Sequence, residues 1–357
     1  MPSSIDQAHA VRPGEELPLA SLEAFLRAAL HMPDARLEVA QFPSGYSNLT
    51  YLLRFGEKEL VLRRPPVGAE NIRKGHDMGR EYRVLSLVHP VYPKAPQPLA
   101  YTDDPGIIGA PFYVMERIQG IILRAGQALT YSPEEMRTLS ENFIDNFAAL
   151  HQLDIYQSDI VQIGKPEGYL ERQVIGWAKR WQAAQTEVIP EMDFAIEWLP
   201  QHLPSSPPPT LLHNDYKYDN LILDAETPTQ IKAVLDWEMS TVGDPFTDLG
   251  ILLSYISEAN DPPHLKNFGI EVASGALSRA ELVARYEAQN RIKVANLPYY
   301  YAFALFKLGV VVQQIYYRYH HGYTQDARFA PLIHLAKDCA WMAKRVIQEQ
   351  KISGFSA

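Results

Sequence analysis

The spacing of apolar positions changes along the chain. In residues 18–30, Leu22, Phe25, Leu26 and Ala29 recur at intervals of three and four, which predicts an amphipathic helix. Short β-like runs follow at 37–42, 49–55 and 59–63, the last two joined through Gly56 and Glu57 as a hairpin. A helix is expected over 71–88, with Met78, Tyr82 and Leu85 on one face. Pro93, Pro96 and Pro98 then interrupt the pattern, and two more strands are expected at 97–102 and 111–116. Beyond Gly120 the helical period dominates. Ser132-Pro133-Glu134-Glu135 combines a serine cap, a proline at the first helical position and a glutamate three residues after the cap, and it opens a helix through Met136, Leu139, Phe143, Phe147 and Leu150. Further helices are expected over 169–184 and 192–198, followed by a proline-rich loop at 204–209. A strand pair is expected at 221–223 and 231–235, and helices again from about residue 249. Ser278-Arg279-Ala280-Glu281 repeats the capping signal, and Pro331 stands near the start of the last long helix.

A strand-rich first part and a helical second part predict an α+β chain of two lobes. The most apolar stretch, 297–317, contains Lys307, Gln313 and Gln314 with Pro298 near its start, so it reads as a buried core helix and not a membrane span. The tryptophans and tyrosines at helical spacing, such as Trp177, Trp181, Tyr299, Tyr300 and Tyr301, read first as core.

Charge and cysteine usage narrow the partners. With 33 basic and 42 acidic residues, the net charge of −9 argues against a nucleic-acid binder. The single cysteine, Cys339, allows neither an intramolecular disulfide nor a cysteine-built metal site. The first twenty residues lack the basic start and apolar core of a signal peptide. The expectation is a cytoplasmic enzyme that engages neither nucleic acid nor membrane, its oligomeric state unspecified.

The chemistry concentrates in His213-Asn214-Asp215, followed by Asn220 and, after strand-like residues, Asp236. Phosphoryl transfer needs a carboxylate to orient the attacking hydroxyl and accept its proton, a role that fits Asp215. It also needs hard oxygen ligands to hold Mg²⁺ against the phosphates, and Asn220 and Asp236 supply an amide oxygen and a carboxylate. Four residues between Asp215 and Asn220 let the loop turn back on itself, and the strand pair returns Asp236 to the same cleft.

The pattern H-x-D-x4-N, then a strand, then Asp236-Trp237-Glu238 resembles the aminoglycoside phosphotransferase and choline kinase group, small-molecule relatives of the protein kinases. The stretch LLHNDYKYDNLILDAETPTQIKAVLDWEMSTVGDPFTDLG is similar to the branch whose members also occur fused to acyl-CoA dehydrogenases. The resemblance implies a protein-kinase-like bilobal fold, with a small antiparallel-sheet N-lobe over 1–117 and a mainly helical C-lobe over 118–357. It implies ATP and Mg²⁺ as cofactors and a small-molecule hydroxyl as acceptor. It assigns Gly45, Ser47 and Asn48 to the turn over the nucleotide phosphates, although taken alone Ser44 to Thr50 reads as an ordinary hairpin turn. Arg63 falls where the family carries its ATP-binding lysine, with Arg64 directed to the other face of the strand. Glu81 matches the helix glutamate that pairs with that cation, and the backbone from Glu116 to Ile118 matches the adenine-binding hinge. Asp248 matches a carboxylate that braces the catalytic loop, and His213 a group that positions it. The short link from Asp236 to Gly243-Asp244-Pro245 leaves no activation segment of the protein-kinase kind. The acceptor implied by the fused relatives is a hydroxy acid or hydroxyacyl-CoA. The alternatives are an aminoglycoside or amino-alcohol kinase, and a non-catalytic nucleotide-binding module suggested by Arg63 and the sparse phosphate loop.

Overall fold

The computed structural model describes residues 7–43, 48–66, 77–124, 130–268 and 274–355. Strands β1 (Leu37–Gln41), β2 (Leu49–Phe55), β3 (Lys58–Arg64), β4 (Pro98–Thr102) and β5 (Phe112–Glu116) form one antiparallel sheet in the order β1-β2-β3-β5-β4. Both faces of this sheet are covered, and strand alternation decides which residue serves which face. Leu60 and Leu62 of β3 pack with Tyr51, Leu53, Phe112 and Val114 beneath Leu22 and Leu26 of helix α1 (Leu19–Ala29). Val61, between them, joins Leu52 and Met115 on the opposite face, against helix α2 (Met78–Val88). Arg63 has the parity of Val61, and it lies opposite Tyr113 in the β3–β5 register. Arg64 has the parity of Leu62 and donates to the carbonyl of Ile108 at 3.2 Å.

Helix α2 covers the Met78–Val88 part of the helix expected over 71–88, capped by Asp77, whose side chain accepts the Arg80 N–H at 2.9 Å, and residues 71–76 lie outside the described residues. A short helix α3 (Pro105–Ile108), for which the hydrophobic pattern carries no signal, joins β4 to β5.

After β5 the chain crosses to the helical lobe through Arg117–Gly120. Ile121 and Leu223 exchange backbone hydrogen bonds of 2.9 and 2.8 Å, which dock this crossing on the second lobe. A Cβ at Gly120 would meet the Leu223 carbonyl oxygen at 2.3 Å, so the close approach requires glycine. The second lobe contains α4 (Pro133–His151), α5 (Tyr169–Ala184), α6 (Pro190–Gln201), β6 (Thr210–Leu212), β7 (Leu221–Leu223), β8 (Ile231–Val234) and β9 (Thr241–Gly243). Then come α7 (Pro245–Ser254), α8 (Pro263–Lys266), α9 (Arg279–Asn290), α10 (Leu297–His320) and α11 (Leu332–Glu349). The expected pair β7–β8 is present, and a second antiparallel pair, β6–β9, flanks the segment that carries the chemistry.

Helix α10 is the core element its sequence predicts, with Tyr299 through Phe306 all buried. Trp177 and Trp181 of α5 are buried as well. Among the described residues no helix is long and apolar enough to cross a membrane. Helix α7 crosses α10 so closely that a Cβ on Gly250 would lie 2.5 Å from the Tyr300 carbonyl oxygen. Gly250→Ala should therefore cost about 1–3 kcal/mol by overpacking, seen as a lower midpoint in a thermal melt.

Candidate active site

The segment after β6 is held from below. Asp248, in the first turn of α7, accepts the backbone N–H groups of His213 and Asn214, each at 2.7 Å. His151, at the end of α4, adds a third contact at 3.2 Å and is itself bonded to the Tyr286 hydroxyl at 2.8 Å. Burial alone would raise the Asp248 carboxyl, but the hydrogen bond and charge of His151, with His213 beside it, hold it below the usual carboxylate range. Both backbone bonds are possible because Asn214 adopts a left-handed conformation, φ +64°, which asparagine tolerates better than most residues. Its side chain is tied to the Met239 carbonyl at 3.1 Å and to the Tyr169 hydroxyl at 3.2 Å.

His213 links the two chemical residues. Its Nδ1 accepts the Asp215 N–H at 3.3 Å, and its Nε2 donates to the carbonyl of Leu235, the residue before Asp236, at 2.9 Å. Burial outweighs the neighbouring carboxylates and lowers its pKa, so the ring is neutral in this one tautomer. That arrangement ties the loop at Asp215 to the backbone just before Asp236.

The Asp215 carboxylate has partners on both oxygens. Oδ2 accepts from the Asn220 side chain at 2.9 Å and lies 3.2 Å from the Lys217 ammonium. Oδ1 accepts from the Tyr255 hydroxyl at 2.7 Å. Because the Asn220 amide nitrogen is committed to Asp215, to its backbone oxygen as well as its side chain, the amide oxygen remains for a metal. Burial would lower the Lys217 ammonium, but Asp215 and Asp219 more than offset it and raise its pKa. Lys217 and Tyr255 are site residues that sequence reasoning does not single out. The first is visible as the lysine two residues after Asp215; the second carries no local signal.

Asp236 meets the sheet lobe. It too is left-handed, φ +64°. Arg63 Nη1 lies 3.5 Å from Asp236 Oδ1 and pairs with Glu81, while its Nη2 is 4.0 Å from Glu238 Oε2. The Asn48 amide donates to Glu238 at 3.0 Å. Arg80 of α2 grips the carbonyls of Glu238 and Ser240, so the same helix that carries Glu81 also fixes the backbone after Asp236. Three carboxylates thus converge on the Arg63 guanidinium. Burial and the Asp236 charge push the Glu238 carboxyl up to about 8, and burial raises Glu81. Asp236 Oδ1 is buried without a hydrogen-bond partner. A buried oxygen left this way in an acidic cluster suits a cation. Among the described residues no three His, Cys, Asp or Glu side chains are grouped as a metal cage.

The structure therefore brings Asp215, Asn220 and Asp236 together with Arg63, Glu81 and Asn48. Gly45 and Ser47 lie outside the described residues. In the crossing segment, the Glu116 N–H is engaged with the Gln97 carbonyl at 2.9 Å and its side chain with the Gln97 N–H at 2.8 Å. Among the described residues the Ile118 backbone enters no such pairing.

Residues 38–283 match the model of the phosphotransferase enzyme family. The chain belongs to that family. It is 36% identical over 323 residues to acyl-CoA dehydrogenase family member 11 of Rattus norvegicus, a match covering 87% of this chain but only 41% of that relative. The curated relatives it matches are thus more than twice as long as the shared part. A crystal structure from Ralstonia eutropha JMP134, assigned as an aminoglycoside phosphotransferase, superposes with a TM-score of 0.80 at 29% identity, over 94% of this chain and 99% of the other. Choline kinase of Cryptosporidium parvum Iowa II shares the fold, with a TM-score of 0.64 at 15% identity over 92% of this chain and 96% of its own. The kinase-like bilobal α+β fold expected from the sequence is the fold found.

Proposed function

We propose that the chain transfers the γ-phosphoryl group of ATP to a hydroxyl of a small molecule, with Asp215 orienting that hydroxyl and taking its proton. The observation that carries the reading is that Arg63, held by Glu81, reaches Asp236 from the sheet lobe, that Asn48 reaches Glu238 two residues on, and that His213 joins Asp215 to Leu235, the residue before Asp236. In this reading the nucleotide lies between an N-lobe of residues 1–117 and a C-lobe of residues 118–357. Arg63, held by Glu81, grips phosphate oxygens, for which a guanidinium is suited. Asn48 contributes from the phosphate-covering turn together with Gly45 and Ser47, and backbone groups between Glu116 and Ile118 meet adenine. Mg²⁺, held by Asn220 and Asp236, neutralises charge on the phosphates when bound. Lys217 adds a fixed positive charge beside the Asp215 carboxylate.

For the acceptor we infer an anionic hydroxy compound, a hydroxy acid or hydroxyacyl-CoA. The relation to acyl-CoA dehydrogenase family members supports this, and so does Lys307. That lysine is buried in α10, its ammonium 3.4 Å from the Asn214 carbonyl and 5.5 Å from the Trp177 ring centroid. Arg180 stacks on the same tryptophan at 4.4 Å. A polycationic acceptor would be met by carboxylates here, not by two cations. Burial pulls the Lys307 pKa down to about 8, against the opposing pull of Asp215 and Asp248. The ammonium is charged below that pH and neutral above it. Hence kcat/KM for a carboxylate-bearing acceptor should fall as pH rises through about 8, and Lys307→Met should remove that limb of the profile.

The function itself is tested by phosphorus NMR with Mg-ATP and a pool of hydroxy acids, hydroxyacyl-CoAs, amino alcohols, sugars and one aminoglycoside. A phosphomonoester signal that grows with the wild type and not with Asp215→Asn supports the proposal, and its carrier names the acceptor class. ATP bound but unconsumed across the whole pool counts against it.

A further inference from the structure

Asp248 and Tyr255 are seven residues apart on α7 and its cap, two helical turns, and so lie on one face. The first holds the backbone of the catalytic loop and the second reaches its carboxylate. The contact at Asp215 Oδ1 is of a particular kind. An acceptor alcohol must donate its O–H to this carboxylate before attack, and the Tyr255 phenol, donating at 2.7 Å, already does so. Oδ2 is taken by Asn220 and Lys217, which leaves Oδ1 as the oxygen for the acceptor. Burial and the Asp215 charge raise the phenol pKa well above its ordinary value, so the proton stays on the tyrosine. The ring is seated by the Lys217 ammonium, 5.2 Å from its centroid, and by Phe268, stacked at 6.5 Å.

We propose that the Tyr255 hydroxyl occupies the acceptor's place on Asp215 and keeps water from it until the acceptor displaces it. This rests on the reading of Asp215 as the base. In this role Tyr255 is a positioning and guarding residue, and it suppresses wasteful transfer to water. Such transfer is attack of a water oxygen on the γ-phosphorus with cleavage of its bond to the bridging oxygen. The water proton passes to Asp215, and ADP and inorganic phosphate leave.

The test is release of inorganic phosphate from Mg-ATP in the absence of any acceptor. Tyr255→Phe removes the hydroxyl and keeps the ring, and it should raise this release about tenfold, the scale of a lost hydrogen bond to a charged group. Tyr255→Leu, which also removes the ring, should raise it as well, and Asp215→Asn added to either variant should abolish the gain. A structural role alone would lower the rate or leave it unchanged. Unchanged or reduced release in variants that melt as the wild type does and bind Mg-ATP would overturn the inference. If instead Asp215→Asn alone retained wild-type transfer to the acceptor, the reading of Asp215 would fail, separately from that of Tyr255.

Discussion

Asp215→Asn is expected to lower the rate of phosphoryl transfer about a hundred- to ten-thousandfold, the range over which a positioned base contributes, while Mg-ATP binding is retained. The loop should keep its shape, because the two N–H groups that define it are held by Asp248 and not by the Asp215 side chain. An asparagine oxygen can still accept from Asn220 and Lys217, and its amide can face the Tyr255 hydroxyl. What is lost is the negative charge and the capacity to take a proton. The check is single-turnover transfer measured beside nucleotide titration. Loss of binding in step with loss of rate would show that Asp215 serves the nucleotide site instead.

The residues whose placement is legible in the sequence share a property: that placement follows from short-range pattern. Asp215 and Asn220 lie five apart on one loop, and the strand pair between Asn220 and Asp236 is visible in its own apolar runs. Arg63 is separated from Arg64 by strand alternation alone, which sends one to Glu81 and the other to the Ile108 carbonyl. Tyr255 and Lys307 are not legible as site residues, because each reaches the loop from a helix whose placement depends on tertiary packing. In the sequence Lys307 argues only for a buried core helix, and the carbonyl it meets in the fold belongs to residue 214. The β6–β9 pair escapes the pattern for a related reason. Its strands are three residues each and about thirty apart, too short for a period-2 signal to register. Lys217 is different: its spacing from Asp215 is visible, but the acidic and amide residues of the loop carry the recognisable chemistry, and the lysine's role emerges only from its distance to the carboxylate.

The second large effect separates stability from function at Asp236. Asp236→Asn keeps a residue that tolerates the left-handed backbone the position requires, so no strain is added. In the ligand-free protein the wild-type carboxylate adds to a cluster in which Glu81 and Glu238 already compete for Arg63, and one of its oxygens is buried without a hydrogen bond. Removing that charge should relieve Glu238, whose carboxyl is pushed up to about 8 by burial and by Asp236, and allow it to ionise at lower pH. The ligand-free melting temperature is therefore expected to stay level or rise. The stabilisation conferred by Mg-ATP should disappear, because a ligand that binds only the folded state raises the melting temperature by an amount set by its affinity. Transfer should fall at least about a thousandfold, since electrostatic stabilisation of the charge that builds up during transfer supplies much of the rate in reactions of this kind. Thermal melts of both proteins with and without Mg-ATP, set against melts with ATP and a chelator, decide the matter. A variant that melts lower without ligand and keeps the full Mg-ATP shift would mean that Asp236 is a structural partner of Arg63 and that the metal is held elsewhere.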